Sequence, residues 1–302
     1  MTRKPRHLDQ WLLIGLGAAI AGVLLVAPLV LIFTEALSGG WKLLVNNLQQ
    51  DYMRHAIMLT LLAAVITVPV NVVFGTLLAW CVTHFEFRGR RLLVNLTNIP
   101  YAMSPVVAGL CYVVVYGLES TAGRWLDAHG VRVIFAWPGI VLVTIFVTSP
   151  YVARILIPLM EAQGTDTEQA AITLGARGFD LFRRVTLPNI KWGLVYGVVL
   201  TNARAVGEFG AVAAVSGTIM NQTLTLPLLV EQLNNDYKTA AAFTAASLLA
   251  LMALITLILK TLLEWRQRRL ELLATRMPEE PPTAGPAGER GSHAATAPHG
   301  AR

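Results

Sequence analysis

Residues 161–188 read EAQGTDTEQAAITLGARGFDLFRRVTLP, and they form the longest polar interruption in the middle of an otherwise apolar sequence. A loop of this length between apolar segments is usually functional or disordered. Threonines on both sides of Asp166, with Glu168 in the first turn, are typical of a helix start. Gly175 and Gly178 then indicate a turn, because glycine adopts backbone angles that other residues avoid. The stretch therefore predicts a short helix followed by a turn.

A second short helix is predicted after the turn, at residues 179–185. Phe179, Phe182 and Val185 recur every three residues, whereas two arginines lie on the opposite side. Pro188 ends this helix, since proline lacks the amide hydrogen that a helix interior needs. Two phenylalanines on a rigid polar loop indicate a surface that binds another protein.

The rest of the chain has the composition of a membrane protein. Of its 302 residues, 55% are hydrophobic and 14% are charged, whereas soluble proteins carry about 25% charged residues. A bilayer crossing needs about 20 apolar residues. Six stretches of at least this length lack Asp, Glu, Lys and Arg: 11–34, 55–85, 92–118, 133–153, 209–230 and 239–259. The sequence therefore predicts an all-α polytopic membrane protein with six transmembrane helices.

The distribution of basic residues predicts the orientation of these spans, which we expect at 11–33, 57–82, 92–116, 138–159, 192–215 and 240–259. With both termini inside, 17 of the 24 Lys and Arg residues lie in inner segments and 5 in outer loops. Basic residues accumulate on the cytoplasmic side of membrane proteins. We therefore expect residues 161–190 to be cytoplasmic, and the segments 34–54, 118–136 and 217–238 to be external loops.

Three regions follow from this reading. Residues 1–10 are expected to be a cytoplasmic N-terminus and residues 11–270 the transmembrane domain. Residues 271–302 are rich in Pro, Gly and Ala, and we expect a disordered cytoplasmic tail because such a segment buries little apolar surface.

Several classes of function are disfavoured by the motifs that the sequence lacks. There is no GxxxxGK[ST] loop for ATP, no nucleophile with a base and no metal-ligand spacing. We therefore expect no catalytic residues, no metal and no cofactor. Cys81 and Cys111 lie in apolar spans, where cysteine behaves as a small hydrophobic residue. The net charge of +6 is explained by basic cytoplasmic ends, so no nucleic-acid partner is expected.

The fifth predicted span contains polar residues that a membrane helix rarely holds: Asn202, Arg204 and Glu208. An arginine at mid-membrane costs roughly 2.5–3.5 kcal/mol, so it usually faces a bundle interior or a wet cavity. Glu208 follows Arg204 by four residues, so the two can pair on one helix face. Two interpretations stay open: a buried ion pair that fixes packing, or an arginine that lines the path of an oxyanion.

The polar stretch resembles the cytoplasmic signature of ABC importer permeases. That signature is Ala-Ala, three residues, Gly, nine residues, an aliphatic residue, one residue and Leu-Pro, and it matches Ala170, Ala171, Gly175, Val185, Leu187 and Pro188. The position that usually holds Glu is Gln169 in this chain, and the acid stands one residue earlier as Glu168. On a helix this displacement is a rotation of about 100°.

Further stretches, among them WPGIVLVTIFVTSPYVAR and TNARAVGEFGAV, resemble the W-type permease of bacterial sulfate/thiosulfate ABC importers. The resemblance implies the MetI-like fold of six helices in the bacterial inner membrane. It also implies several partners: a T-type permease, two copies of an ABC ATPase subunit and a periplasmic sulfate/thiosulfate-binding protein. Residues 161–190 would then be the coupling loop, which contacts the ATPase through Glu168, Gln169, Ala170, Ala171, Gly175, Phe179, Phe182, Leu187 and Pro188.

Two alternatives remain at this point. A molybdate or tungstate ABC permease has a similar fold and an oxyanion substrate. A secondary transporter driven by an ion gradient would need acids within its spans, and Glu208 is the one deep candidate.

Overall fold

The computed structural model describes residues 7–274, with side chains in residues 11–266. The chain divides into two compact units, residues 1–263 and 264–302. Fifteen α-helices and no strand occur among the described residues. They are α1 His7–Ala21, α2 Ala27–Ser38, α3 Gly40–Gln49, α4 Asp51–His84, α5 Arg90–Ala102, α6 Pro105–Tyr116, α7 Thr121–Ala128, α8 Trp137–Thr148, α9 Pro150–Gln163, α10 Asp166–Thr173, α11 Gly178–Leu181, α12 Leu187–Val206, α13 Gly210–Ser216, α14 Leu226–Asn235 and α15 Thr239–Ala274.

The ends of the chain are only partly covered by this description. Residues 1–6 and 275–302 lie outside the described residues, and with them most of the predicted N-terminal segment and tail. Within the described part, α15 continues as helix to Ala274, beyond the boundary expected at residue 270.

Four helices are long and apolar enough to cross a membrane: Trp11–Ser38, Asp51–His84, Trp137–Gln163 and Thr239–Arg266. Two bent helix pairs pass the same test, so the described residues provide up to six spans when each pair counts as one. Each of the six predicted spans overlaps one of these helices or pairs. The all-α polytopic fold predicted from the sequence is therefore confirmed.

The third span is broken in the middle. Helices α5 and α6 meet at 105°, with the break at Met103 and Ser104. Ser104 has an extended backbone, with ψ of 133°, because the ring of Pro105 disfavours a helical conformation in the residue before it. The sequence predicted one continuous helix over 92–116, and Pro105 was compatible with an ordinary kink. The structure instead has two half-helices.

The fifth span is broken as well. Helix α12 ends at Val206, α13 begins at Gly210, and the two axes differ by 51°. The second half of this span lies beside the second half of the third span: a Cβ placed on Gly109 of α6 would lie 2.6 Å from the carbonyl oxygen of Ala211 in α13. The two half-helices therefore pack in backbone contact.

This contact predicts the effect of a substitution. Gly109→Val is expected to destabilise the protein by about 1–3 kcal/mol, because extra carbon atoms have no room between α6 and α13. Gly17→Val is the matched control, since nothing lies within 4 Å of a Cβ at Gly17 in α1. The thermal midpoint of the purified variants in detergent measures both. Equal midpoints for the two variants would contradict the tight packing.

Helix α4 lies at the centre of the bundle and packs against α8, α9 and α12. Polar side chains connect it to its neighbours: the side-chain amide of Asn71 donates a hydrogen bond to the Thr148 hydroxyl at 2.6 Å, and both residues are fully buried. Buried polar groups need such partners, since an unpaired one costs stability. These contacts fix α4 against the fourth span.

All three predicted external loops contain helices. Residues 34–54 hold α3, residues 118–136 hold α7, and residues 217–238 hold α14. Helix α14 packs into the main hydrophobic core, where Leu226, Leu228, Leu229 and Leu233 are at most 1% exposed. The Leu226 amide donates to the hydroxyl of Thr60 in α4 at 2.8 Å. The sequence indicates a short amphipathic piece at residues 227–233 of this segment, and the structure has α14 there with its leucines on a buried face.

The first span differs from the others because its side chains have few neighbours. The helical stretch Trp11–Ser38 has a mean hydropathy of 2.7 over its 18 most apolar consecutive residues. None of these 18 residues is buried against the rest of the chain. Side chains such as Trp11, Leu13 and Leu25 are more than two-thirds exposed. Lipid or another membrane protein must cover this surface, since water does not solvate it favourably.

Candidate functional site

Residues 161–190, which are expected to form the coupling loop and are called so below, begin with a short helix and a turn, as predicted. Helix α10 ends at Thr173, and α11 begins at Gly178. Gly175 and Gly178 have φ angles of 93° and 48°, which glycine adopts at little cost. The π-helical residues Phe182–Thr186 then lead without interruption into α12. The prediction that the second helix ends at Pro188 was therefore wrong: proline is the second residue of α12, directly after the π-helical turn, and the helix continues past it.

Glu168 points into the protein. The residue is 7% exposed, and the Thr186 hydroxyl donates a hydrogen bond to its Oε1 at 2.5 Å. Its Oε2 contacts Nε2 of His84, the last residue of α4. The neighbouring Gln169 is exposed, and its side-chain amide donates a hydrogen bond to the hydroxyl of Thr165, the residue before α10. The displaced acid of the signature therefore binds within the chain, whereas the position that usually holds Glu faces outward.

Three apolar side chains of the loop are exposed. Phe179 is 74% exposed, Leu174 is 89% exposed and Ile172 is 55% exposed. Phe182 is only partly exposed, because its ring packs edge-on against Trp80 of α4 with the centroids 5.9 Å apart. We call Ile172, Leu174 and Phe179 the apolar surface of the coupling loop.

The two phenylalanines have different surroundings, although their ring centroids lie only 6.4 Å apart. Phe179 faces solvent, and Phe182 packs on the bundle. Leu174 and Ile172 were missed as surface residues, because leucine and isoleucine in a short helix are usually assigned to its buried face. The turn at Gly175 was the available signal, since a residue next to a tight turn has few neighbours.

The remaining signature residues form the base of the coupling loop. Ala170 and Ala171 lie in α10, and Leu187 and Pro188 begin α12. Leu187 packs against the buried cluster of α9 and α12, whereas Pro188 is exposed. The base is also hydrogen-bonded to α9, because the Gln163 side chain donates to the Asn189 carbonyl at 3.1 Å.

Arg204 and Glu208 form an ion pair at the break of the fifth span. Arg204 Nη1 lies 2.9 Å from Glu208 Oε2, and the two side chains are 32% and 1% exposed. Glu208 is not helical, because α12 has ended at Val206. Its Oε1 accepts a hydrogen bond from the amide of Ala211 at 3.1 Å, in the first turn of α13. The carboxylate therefore pairs with Arg204 and also accepts a hydrogen bond from a backbone amide in the first turn of α13, which has no partner within that helix.

The surroundings of this pair include the start of α6. A Cβ placed on Gly210 would lie 3.3 Å from Cβ of Pro105, so α6 and α13 begin side by side. Asn202, the third residue predicted for the pathway, is half-buried on α12. The Asn202 amide and the partly exposed Arg204 guanidinium both carry hydrogen-bond donors of the kind that an oxyanion accepts. The structure thus leaves the packing and pathway interpretations of Arg204 both open.

Arg154 is a further arginine within a span. The sequence predicts that its side chain reaches toward the membrane interface, as long basic side chains often do. In the structure its guanidinium lies over the ring of Tyr101 in α5, 4.1 Å from the centroid. Stacking of this kind stabilises a cation where carboxylates are absent. Among the described residues, no three His, Cys, Asp or Glu side chains group as a metal site would require.

Comparison with known proteins agrees with this geometry. Residues 71–271 match the family model described as "Binding-protein-dependent transport system inner membrane component". The chain is 55% identical over 268 residues to the sulfate transport system permease protein CysW of Escherichia coli K12, covering 89% of this chain and 92% of that protein. It is 48% identical to CysW of Synechococcus elongatus over 89% of this chain and 94% of that protein. The sulfate transport system permease protein CysT of Escherichia coli K12 is 34% identical, over 81% and 90% of the two chains.

Solved structures support the same fold. A bacterial ABC transporter that imports the acidic polysaccharide alginate matches with a TM-score of 0.70 at 16% identity, covering 86% of this chain and 96% of that chain. The alginate transporter in complex with its alginate-bound periplasmic protein matches with a TM-score of 0.68 at 18% identity, over 87% and 96%. The chain has the fold of an ABC importer permease, and it belongs to the family of binding-protein-dependent transport system inner membrane components.

Proposed function

We propose that this chain is the permease subunit of an ATP-driven ABC importer that carries sulfate or thiosulfate into the cytoplasm. The strongest support is the 55% identity, over nearly the whole length, to a protein named as a sulfate transport system permease. The chain itself supplies the membrane path and does not hydrolyse ATP. Energy comes from a separate ATPase subunit.

The apolar surface of the coupling loop supports the proposal of an ATPase partner. Leu174 and Phe179 are exposed on an otherwise polar loop, and exposed aromatic side chains are typical of protein interfaces. Two ATPase copies would bind, one under each permease subunit. The orientation follows from the basic residues: the coupling loop and both termini face the cytoplasm of a bacterial inner membrane, and the opposite end faces the periplasm.

The other partners are a T-type permease and a periplasmic binding protein that delivers the anion. Support for the T-type subunit is the uncovered surface of the first span, which a second permease can bury. A 34% identical relative named CysT indicates that two related permeases exist in such systems. The matching structure with a bound periplasmic protein supports delivery from outside.

Arg204 is proposed to line the anion path, with Asn202 beside it and Glu208 holding the guanidinium in position. One partly exposed arginine suits transient contact with an anion, because a dense basic cluster would bind the anion too tightly for release. The geometry disfavours ion-coupled secondary transport. Glu208, the acid that such a mechanism would need, is already held by Arg204 and by the Ala211 amide.

Uptake assays on the complete complex test this proposal. The chain, its T-type partner, the ATPase and the binding protein are expressed in a strain that lacks its own sulfate permeases. We expect ATP-dependent uptake of radiolabelled sulfate that excess thiosulfate inhibits and excess molybdate does not. Stronger inhibition by molybdate would favour the molybdate alternative. Uptake that persists without the ATPase and stops with an ionophore would favour a secondary transporter.

A further inference from the structure

A polar contact connects the coupling loop to the end of α4, a helix that the signature does not include. The contact joins Glu168 of α10, Thr186 at the start of the fifth span and His84 at the end of α4. These residues are far apart in sequence, by 84 positions for His84 and Glu168 and by 18 for Thr186 and Glu168. Three helices therefore meet at one carboxylate.

Both oxygens of this carboxylate are used. A carboxylate only accepts hydrogen bonds, so the Thr186 hydroxyl and Nε2 of His84 are its donors. The His84 and Glu168 side chains are 16% and 9% exposed, so water competes little with the contact. The other ring nitrogen of His84 lies 2.8 Å from the Thr83 hydroxyl and 3.2 Å from the Trp80 carbonyl, which fixes the imidazole on its own helix.

An apolar contact adds to this polar one. Trp80 lies one turn before His84 on α4 and packs against Phe182 of the coupling loop. The loop is thus attached to α4 through two neighbouring contacts of different chemistry. By contrast, Phe179 is 74% exposed, and the ring that it neighbours is that of Phe182.

We propose that His84 is a positioning residue, which holds the coupling loop on α4 through Glu168 and thereby transmits movement of the loop to the second span. The inference rests on the function proposed above. Along the chain, the loop joins α9 and α12 alone. Because α4 packs against α8, α9 and α12, attachment through His84 makes the bundle move as one body when the ATPase subunits move the loop.

The alternative is a contact that only stabilises the fold. The ratio of anions imported to ATP hydrolysed separates the two roles. A purely stabilising contact changes the amount of assembled complex, and both activities then fall together at constant ratio. A contact that transmits movement changes import while the ATPase continues to turn over.

The experiment uses the complete complex in proteoliposomes, with sulfate import and ATP hydrolysis measured on the same sample. For His84→Ala we expect the import-to-hydrolysis ratio to fall about tenfold, the effect of losing one charge-assisted hydrogen bond. Thr186→Val should lower the ratio in the same direction, and Thr186→Ser should restore it, because serine keeps the hydroxyl. The matched control is His129→Ala, since His129 follows α7 directly, in a predicted external loop, and its side chain packs on Trp125 of that helix.

Two further variants exclude trivial explanations. The double variant His84→Ala, Glu168→Ala should lower the ratio no more than Glu168→Ala alone, because His84 acts through Glu168. If His84→Ala does not assemble, His84→Gln replaces it: an amide still donates to Glu168, and we expect a ratio within about twofold of the native value. The inference would be overturned if the assembled His84→Ala complex kept the native import-to-hydrolysis ratio. It would also be overturned if His84→Gln lowered that ratio as far as His84→Ala is expected to. Failure of the native complex to import any of the anions would instead reject the proposed function.

Discussion

Phe179→Asp is expected to lower anion uptake by at least about 30-fold, which corresponds to the loss of an aromatic interface residue worth about 2 kcal/mol. The Phe179 side chain is 74% exposed and its nearest aromatic neighbour is Phe182, at 6.4 Å between ring centroids. Aspartate at this position therefore leaves the fold of the chain intact. It places a charge where the ATPase is proposed to bind.

The measurement is uptake of radiolabelled sulfate by cells, together with the amount of ATPase that copurifies with the tagged permease. Phe179→Leu is the matched control, because leucine keeps an apolar side chain, and we expect uptake within about threefold of native. Leu174→Asp should act like Phe179→Asp, since Leu174 belongs to the same surface. Normal uptake and normal ATPase recovery in Phe179→Asp would reject the apolar surface as the binding site of the ATPase.

Phe182→Asp is expected to impair uptake by a different route from Phe179→Asp. Its ring packs against Trp80, so a charge there disturbs the attachment of the loop to α4 rather than the outer surface. We expect the ATPase to remain bound while uptake is lost. The two phenylalanines, three residues apart in sequence, thus serve different contacts.

Arg204→Ala is expected to abolish uptake and to lower the yield of folded protein. It leaves the Glu208 carboxylate, 1% exposed, without its counter-ion, and breaking a buried pair in this way costs about 3–5 kcal/mol. Arg204→Lys keeps a charge but loses the planar guanidinium, so we expect partial uptake and near-native yield. Radiolabelled uptake normalised to the amount of protein in the membrane measures these effects.

Arg204→Ala combined with Glu208→Gln separates the packing role from the pathway role. The double variant holds no buried charge, and glutamine still offers an oxygen to the Ala211 amide, so yield should recover. If Arg204 lines the anion path, uptake stays lost despite normal yield. Recovery of uptake together with yield would show that the pair serves packing alone.

The sequence was informative about the number of spans, because each carries about 20 apolar residues without charge. It was less informative about their shape. Pro105 was compatible with a mild kink or with a full break, since neighbouring helices decide whether the freed backbone groups find partners. In this fold α6 leaves α5 at 105° and packs on α13 through Gly109. Nothing local to residues 92–116 specifies that neighbour.

The pairing of Arg204 with Glu208 was predicted from their spacing on one helix. The structure contains the pair, but the two residues do not lie on one continuous helix. Helical spacing assumed one continuous helix, yet α12 ends between the two residues. The short distance is kept because the chain makes one further turn, in which the amides of Gly207 and Glu208 bond to the carbonyls of Ala203 and Ala205. A local rule thus gave the right contact although the local structure differs.

By itself, the sequence determined that the chain is a bundle of membrane helices with a polar two-helix loop, because hydropathy, charge and turn residues act over a few neighbouring positions. The tertiary structure alone decided which side of that loop is exposed, that Glu168 meets His84 of α4, and that α14 is buried in the core. These outcomes depend on contacts between residues many positions apart, so no short stretch of the chain encodes them.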